Sequence, residues 1–594
     1  MKHKKIIFSL FLGSLLLAAT GCKKLLEEQP RTGFTPSFFS TSDGIQGAIA
    51  GIYSSFRGHW GTQIFTQLFN AGTDESLKGA AADVQHWFEY NNAVIKSNTD
   101  NYLGFWNSLF ININTANGVL EYGAAANIPA AQKTQLLAQA KFLRAFNYYY
   151  LVTTFGAVPL KTTFNTSASA ADAPSPIADV YAQIIKDLTE AAADLPNTPA
   201  AGLGKPATKS TALFLLAKTH LWRGWSSVAQ PNDFQQAYTI SKGLIDNKAT
   251  YGLNLLPYFG NVFREGQEYS SEVLMVIDHT KDLKFGQNSA VGAGATNGAE
   301  NKSNFFWRPN YPTINANYPA GGGANVTVRD INNGRPFQRI RPNTRYIMDV
   351  AFANRATDAR YEGTFQTVWL SNNSEMSVRG SNGAVTPRGQ LINGIDTSIW
   401  MRDRLVTPAE RAAFKGIMFE PNHLPGATVP FTASYYPNVR KFDDSTRGNL
   451  NDYSDRPYIL FRFSEVYLIA AEAALKGGGT LQDAADMINV LRTRAALKLN
   501  QSPAEYAAAV IAQQVTAGQI TLDFILEERS RELYAEDTRW WDLARTQKLV
   551  DRVKLHNPEG AAGVQPFNML RPIPQNHINL VSEGPKYPQN PGYE

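Results

Sequence analysis

The sequence predicts a mainly α protein of paired helices, interrupted by a loop-rich insert containing short strands. Three observations carry this reading. Apolar residues recur at helical spacing over 177–195. The segments 131–153 and 208–225 are apolar on two faces, as in helices sandwiched between neighbours. Between about 251 and 455, Gly, Asn and Pro become frequent, as in Gly321-Gly322-Gly323 and Asn332-Asn333-Gly334, which reads as loops and short strands.

The elements follow in order. Ile177, Val180, Tyr181, Ile184, Ile185, Leu188, Ala191, Ala192 and Leu195 form one stripe, with Ser175 placed to cap it, Pro176 in its first turn and Pro196 to end it. In 131–153, one stripe is Leu136, Ala140, Leu143 and Leu151; another is Ala138, Phe142, Ala145, Phe146 and Tyr149. Helices resume after the insert. Ser464 can cap one that stops near Gly477, Leu481 to Ala495 stripe the next, and 521–535 is a third. The small residues Ala470, Ala471, Ala473 and Ala474 permit close approach of helices, which suggests a tetratricopeptide-like solenoid, although no strict 34-residue period is present. The expected organisation is therefore a helical region over 41–250, an irregular insert over 251–455 and a helical region over 456–594.

Ahead of these lies a different signal. Lys2, Lys4 and Lys5 precede an apolar run over 6–19, shorter than the roughly 20 residues of a spanning helix. Residues 1–21 read as a secretory signal peptide. Ala19, Thr20 and Gly21 are small, and Cys22 follows them, an arrangement that resembles a lipobox. That resemblance implies cleavage after Gly21 and lipidation of Cys22, with 22–40 as a tether. Two or more acyl chains anchor stably, at about 0.8 kcal/mol per buried CH₂.

Charge and composition exclude several classes. The 594 residues carry a formal charge of +5, which falls to +2 once the three lysines of 1–21 are removed. Such a balance argues against nucleic-acid binding. Cys22 is the only cysteine, so no intramolecular disulfide is available and packing alone must hold the fold. The 8 histidines are dispersed, with no H-E-x-x-H, and neither G-x-S-x-G nor a P-loop occurs. Gly292 and Gly294 lie in a loop-rich stretch rather than between strand and helix, and Asp443-Asp444 is a poor metal signal without a third ligand. No cofactor, metal or catalytic residue is expected. His220, on an apolar helix, reads as a hydrogen-bonded core residue. Glu527, Glu528, Arg529, Arg531, Glu532, Glu536, Arg539 and Asp542 read as helix ion pairs, with Glu528, Glu532 and Glu536 one turn apart, and Trp540 and Trp541 as packing between helices.

Several blocks, taken in order, carry a family resemblance. They are LLAQAKFLRAFNYYYLVTTFGAVPL over 136–160, PSPIADVYAQIIKDLTEAAADLP from Pro174, GKPATKSTALFLLAKTHLWRGW from Gly204 and DARYEGTF from Asp358. RFSEVYLIAAEA from Arg462, INVLRTRA from Ile488, and EERSREL from Glu527 with RWWDL from Arg539 follow; RPIP from Arg571 and QNPGY from Gln589 close the chain. Together they resemble the SusD/RagB family of outer-membrane nutrient-binding lipoproteins. The resemblance implies tetratricopeptide-type helix pairs with an irregular insert and a place on the outer face of the outer membrane. It also implies a SusC-like TonB-dependent transporter as partner, a polysaccharide or oligosaccharide as ligand, and no enzymatic activity.

A pyranose rests its C–H face on an aromatic ring and offers hydroxyls to Asn, Asp, Arg or Gln, and rigid aromatics on loops supply this at low entropic cost. Two segments fit: His86, Trp87, Tyr90, Asn91 and Asn92, with Asp74 and Glu75 nearby, and Asn304, Phe305, Trp307, Arg308, Tyr311 and Tyr318. From these, Trp87, Tyr90, Asn91, Trp307, Arg308 and Tyr311 are the expected ligand-binding residues. Other readings stay open: a peptide or glycopeptide cargo, a surface glycoside hydrolase, or a protein-binding scaffold.

Overall fold

The computed structural model describes residues 36–95, 100–167, 169–199, 204–279, 301–373 and 384–594. The signal segment, Cys22 and most of the expected tether lie outside the described residues, as do Gly292 and Gly294. The architecture is mainly α, as the apolar periodicity predicts. Leu103–Tyr122 packs on Ala130–Phe155, which packs on Ile177–Asp194, and that on Lys209–Trp225 and then Asp233–Asp246. The stack does not end there. Asp233–Asp246 packs directly on Phe463–Ala473, which continues into Leu481–Ala495 and Leu522–Leu533. The intervening 247–462 stretch is thus an excursion from one helical pile. An antiparallel pair ties its two ends together, Val273–Ile277 against Tyr458–Arg462.

Local chemistry sets the helix ends, not always where expected. Ile177–Asp194 starts after Pro176, and the Ser175 hydroxyl instead accepts the Leu160 N–H at 3.0 Å. Ser464 lies inside Phe463–Ala473 and accepts from Arg462 at 2.7 Å, so it is no cap. Thr521 does cap Leu522–Leu533, accepting from Phe524 N–H at 3.1 Å. That helix stops at Leu533, and Ala535 and Asp537 adopt positive φ (67° and 56°). Glu536 therefore does not continue the Glu528–Glu532 row.

Within the excursion, Val368–Leu370, Thr397–Met401 and Ile417–Phe419 form a sheet, antiparallel then parallel. Its buried face, with Tyr311, Ile314, Trp369 and Phe431, forms a hydrophobic core of its own. A second link, Ser76–Lys78 against Ile340–Pro342, holds the excursion to the N-terminal helices.

Buried ion pairs complete that attachment. Arg360, inaccessible to solvent, binds Asp358, Glu528 and Glu532 at 2.7, 2.7 and 3.3 Å. Arg494 and Arg462 share Glu532 and Glu272. Burial alone would raise the Glu528 and Glu532 carboxyls, but the surrounding guanidiniums outweigh it and hold both below the usual carboxylate range. The expected helix ion pairs are present only in part. Arg531 meets Glu528 within the helix, while most partners come from distant elements. His220 is a core residue, 2.9 Å from Asp233, and Trp541 packs by stacking on Phe69 at 3.9 Å between ring centroids.

Candidate functional site

The structure buries nearly all of the aromatic residues that the sequence assigns to ligand. Trp87 is fully buried, donates Nε1–H to Asn101 at 3.1 Å and lies under the Arg571 guanidinium. Tyr90, also buried, donates to the Gly72 carbonyl at 2.9 Å. Trp307 packs on Tyr534, Arg308 pairs with Asp443 at 2.7 Å, and Tyr311 lies along Trp369 and donates to the Gly334 carbonyl. All five side chains are at most 1% exposed, so none presents a face or a donor to a sugar at the surface, and each serves packing or hydrogen bonding within the fold. Asn91 is exposed, on the turn after the Gln85–Glu89 helix. Asn92 bonds the Gly563 carbonyl, and Asp74 and Glu75 are buried beside Arg539. Asp444 serves a turn, accepting from Thr446 and Ser454. Among the described residues, no three His, Cys, Asp or Glu side chains are grouped to hold a metal ion.

Backbone at 80–81, ahead of the first expected segment, nevertheless shares one turn with the second segment. Ala80 N–H donates to the Ala433 carbonyl at 2.9 Å, Ala81 N–H to Gln338, and Asn310 N–H to Ser434. The 432–436 turn thus joins both. Thr432 Oγ1 accepts the Ser434 and Tyr435 N–H groups at 3.1 and 3.0 Å, fixing the turn that projects Tyr435. Facing it is a narrow loop closed by Ala316 N–H to Ala324 and Val326 N–H to Ile314. Its tip holds Tyr318 and three successive glycines, Gly321 to Gly323, at φ of 84°, 87° and 81°, a run that bulkier residues cannot follow.

Tyr318 and Tyr435 meet edge to face, 5.2 Å between centroids, and both rest on buried Phe419 at 5.1 and 5.5 Å. Both remain half-buried, with exposed Thr313 and Asn317 beside them. Thr313 Oγ1 lies 3.1 Å from Tyr435 Oη. Burial and then the neighbouring Tyr435 push the Tyr318 hydroxyl above its ordinary pKa, so it is neutral and able to donate. The pair offers rigid ring edges and faces next to hydroxyl and amide groups. Tyr318 was within the second expected segment. Tyr435 was missed, and the aromatic pair in the turn-rich PFTASYYP stretch from Pro430 was the signal that could have found it.

This fold and site define a helical scaffold that displays a loop-borne aromatic surface. The chain belongs to the SusD family, whose model matches residues 285–593. A second family model, described as "Starch-binding associating with outer membrane", matches residues 25–221. SusD-like protein P2 of Formosa agariphila is 28% identical over 100% of both chains. Starch-binding protein SusD of Bacteroides thetaiotaomicron is 23% identical over 78% of this chain and 74% of its own. Surface glycan-binding protein A from B. thetaiotaomicron, solved in complex with laminarihexaose, superposes with a TM-score of 0.62 and 20% identity, covering 93% of this chain and 99% of that one.

Proposed function

We propose that this chain is a cell-surface glycan-binding lipoprotein. It captures polysaccharide or oligosaccharide and delivers it to a SusC-like TonB-dependent transporter in the outer membrane. The observation that carries the reading is the half-exposed Tyr318–Tyr435 pair, flanked by Thr313 and Asn317, in a member of the SusD family. The names of its relatives and of solved structures with the same fold make starch and laminarin the first ligands to test. Glu528 and Glu532 are enclosed and committed to arginines, so this pair does not flank a cleft as a glycosidase pair would. An open aromatic surface of this kind binds at about millimolar to micromolar Kd, roughly −4 to −8 kcal/mol. Lipid on Cys22 would hold such a weak binder at high effective concentration over the transporter.

The test is native electrophoresis of the mature chain in gels containing laminarin, starch or another soluble polysaccharide. Retardation in at least one gel is the expected result. Unchanged mobility across a broad panel would contradict glycan capture and favour a peptide or glycopeptide cargo.

A further inference from the structure

A second recess shares no lining residue with the tyrosine pair. It lies where the Phe259–Phe263 turn meets the Ala359–Thr364 helix and the 440–443 segment. The cavity measures about 470 Å³ and is lined by Tyr258, Asn261, Arg264, Glu362, Arg440 and Leu499, among others. That volume falls within the roughly 300–1,000 Å³ typical of small-ligand sites. Two glycines shape its wall. A Cβ on Gly363 would stand 2.6 Å from the Phe259 ring and 3.4 Å from Gly260 Cα, and one on Gly260 would stand 2.7 Å from the Tyr258 ring. Neither position admits a side chain as the structure stands, which leaves bare backbone beside an aromatic ring.

The charged groups of the recess are interleaved rather than of one sign. Glu265 accepts the N–H and hydroxyl of Ser445 at 2.5 and 2.9 Å. Asp443 accepts from Arg308 at 2.7 Å, and Glu362 accepts the Tyr258 hydroxyl at 3.3 Å, with Lys498 3.8 Å away. Arg264 makes a long contact of 3.4 Å with Asn261. Arg440 is exposed; its guanidinium makes no side-chain hydrogen bond and no ion pair within 4 Å among the described residues, although Asp443 and the Tyr258 hydroxyl feel its charge. A strongly charged ligand of either sign would meet a like charge here. A ring carrying several neutral hydroxyls would not, because each hydroxyl both donates and accepts.

We propose that this recess is a second saccharide site, holding a single neutral sugar unit or a short chain end. In it, Arg440 and Asn261 donate to ring hydroxyls, Glu362 accepts from them, and Tyr258 supplies the apolar face. The assignment rests on the saccharide reading above but not on the tyrosine pair. Two sites on one anchored molecule would hold a long chain by its middle and by an end, raising retention without a new contact at either.

The test is saturation-transfer NMR on the full mature chain with the methyl β-glycosides of glucose, galactose and mannose. Three variants are compared with wild type: Arg440→Ala, Leu499→Trp, and Tyr318→Ala/Tyr435→Ala. Arg440 is exposed and Leu499 is 66% exposed, so both single variants should keep the wild-type melting temperature. Arg440→Ala should weaken binding about tenfold, as loss of a charge-assisted hydrogen bond does. Leu499→Trp, which fills the mouth, should weaken it likewise, while the double tyrosine variant retains it. Should Arg440→Ala lower the melting temperature, Leu499→Trp decides the matter alone. Wild-type binding in both single variants, or no transfer from any glycoside to wild type, would overturn the site. So would a signal lost only in the tyrosine variant. Polysaccharide retardation in gels reads the tyrosine pair separately, so failure of one assignment leaves the other standing.

Discussion

Arg539 grips Asp74 with two parallel hydrogen bonds, Nε and Nη2 at 2.7 and 2.6 Å, across 465 positions of sequence. Both residues are buried, and Arg552 contacts the same carboxylate at 2.6 Å. Removing Arg539 strips both parallel bonds from buried Asp74, leaving it to Arg552 alone, and takes the facing cation from Glu75. We expect Arg539→Ala to cost about 3–5 kcal/mol in chemical denaturation. Wild-type stability in that variant would show the pair to be dispensable.

The same reasoning separates buried from exposed pairs. Glu532 serves Arg360, Arg462 and Arg494, and all four side chains are buried. Glu532→Ala should destabilise by about 3–5 kcal/mol. The Lys242–Asp246 pair lies on an exposed helix face, and Asp246→Ala should change stability by less than about 0.5 kcal/mol. Because Arg360 belongs to the excursion and Glu532 to the helical pile, limited proteolysis of Glu532→Ala should cut first within 301–455. Uniform digestion would argue against the network as the attachment.

Two buried carboxyls should make stability fall as pH rises. Burial pushes Asp537 up to about 7, despite hydrogen bonds from Tyr458, Asn70 and Thr66. Burial likewise pushes Glu75 up to about 7, against the pull of Arg539. Their ordinary values are 3.8 and 4.5, so between there and pH 7 the folded chain binds more protons than the unfolded one. The stabilising contribution is complete below the ordinary values and is lost as pH climbs through about 7. Glu528 and Glu532, held below the usual range, add stability as pH rises through their ordinary 4.5, and above about pH 6 they are ionised in both states and add little slope. Asp537→Asn should flatten the decline in melting temperature between about pH 4 and pH 7. An unchanged profile would mean that Asp537 titrates normally.

The helical pile was legible because periodicity is local: the 177–195 stripe becomes Ile177–Asp194 almost residue for residue. The candidate site was legible only by region. Nothing near Trp87 in sequence reveals that Arg571, 484 positions on, covers its ring. Loop segments carry no period that tells which side of an aromatic faces inward. The partners of Glu528 and Glu532 were hidden for the same reason, since the i, i+4 spacing points to pairs within the helix, whereas Arg360 and Arg462 arrive from elsewhere. We therefore expect Trp87→Ala to act on stability, at about 3–5 kcal/mol, instead of directly on ligand binding. A stable Trp87→Ala variant that has lost glycan binding would return this residue to the site.

The anchor is tested apart from the fold. Cys22→Ala should shift the chain from the membrane fraction to the soluble fraction of fractionated cells. Membrane association unchanged by the substitution would contradict lipidation at Cys22.

The central claim, that Tyr318 and Tyr435 form the glycan surface, is tested most directly by gel retardation of Tyr318→Ala/Tyr435→Ala beside wild type, in whichever polysaccharide retards the wild type. The account requires the double variant to run at its polysaccharide-free mobility while its melting temperature stays near wild type. Retardation equal to wild type in a folded double variant would contradict it.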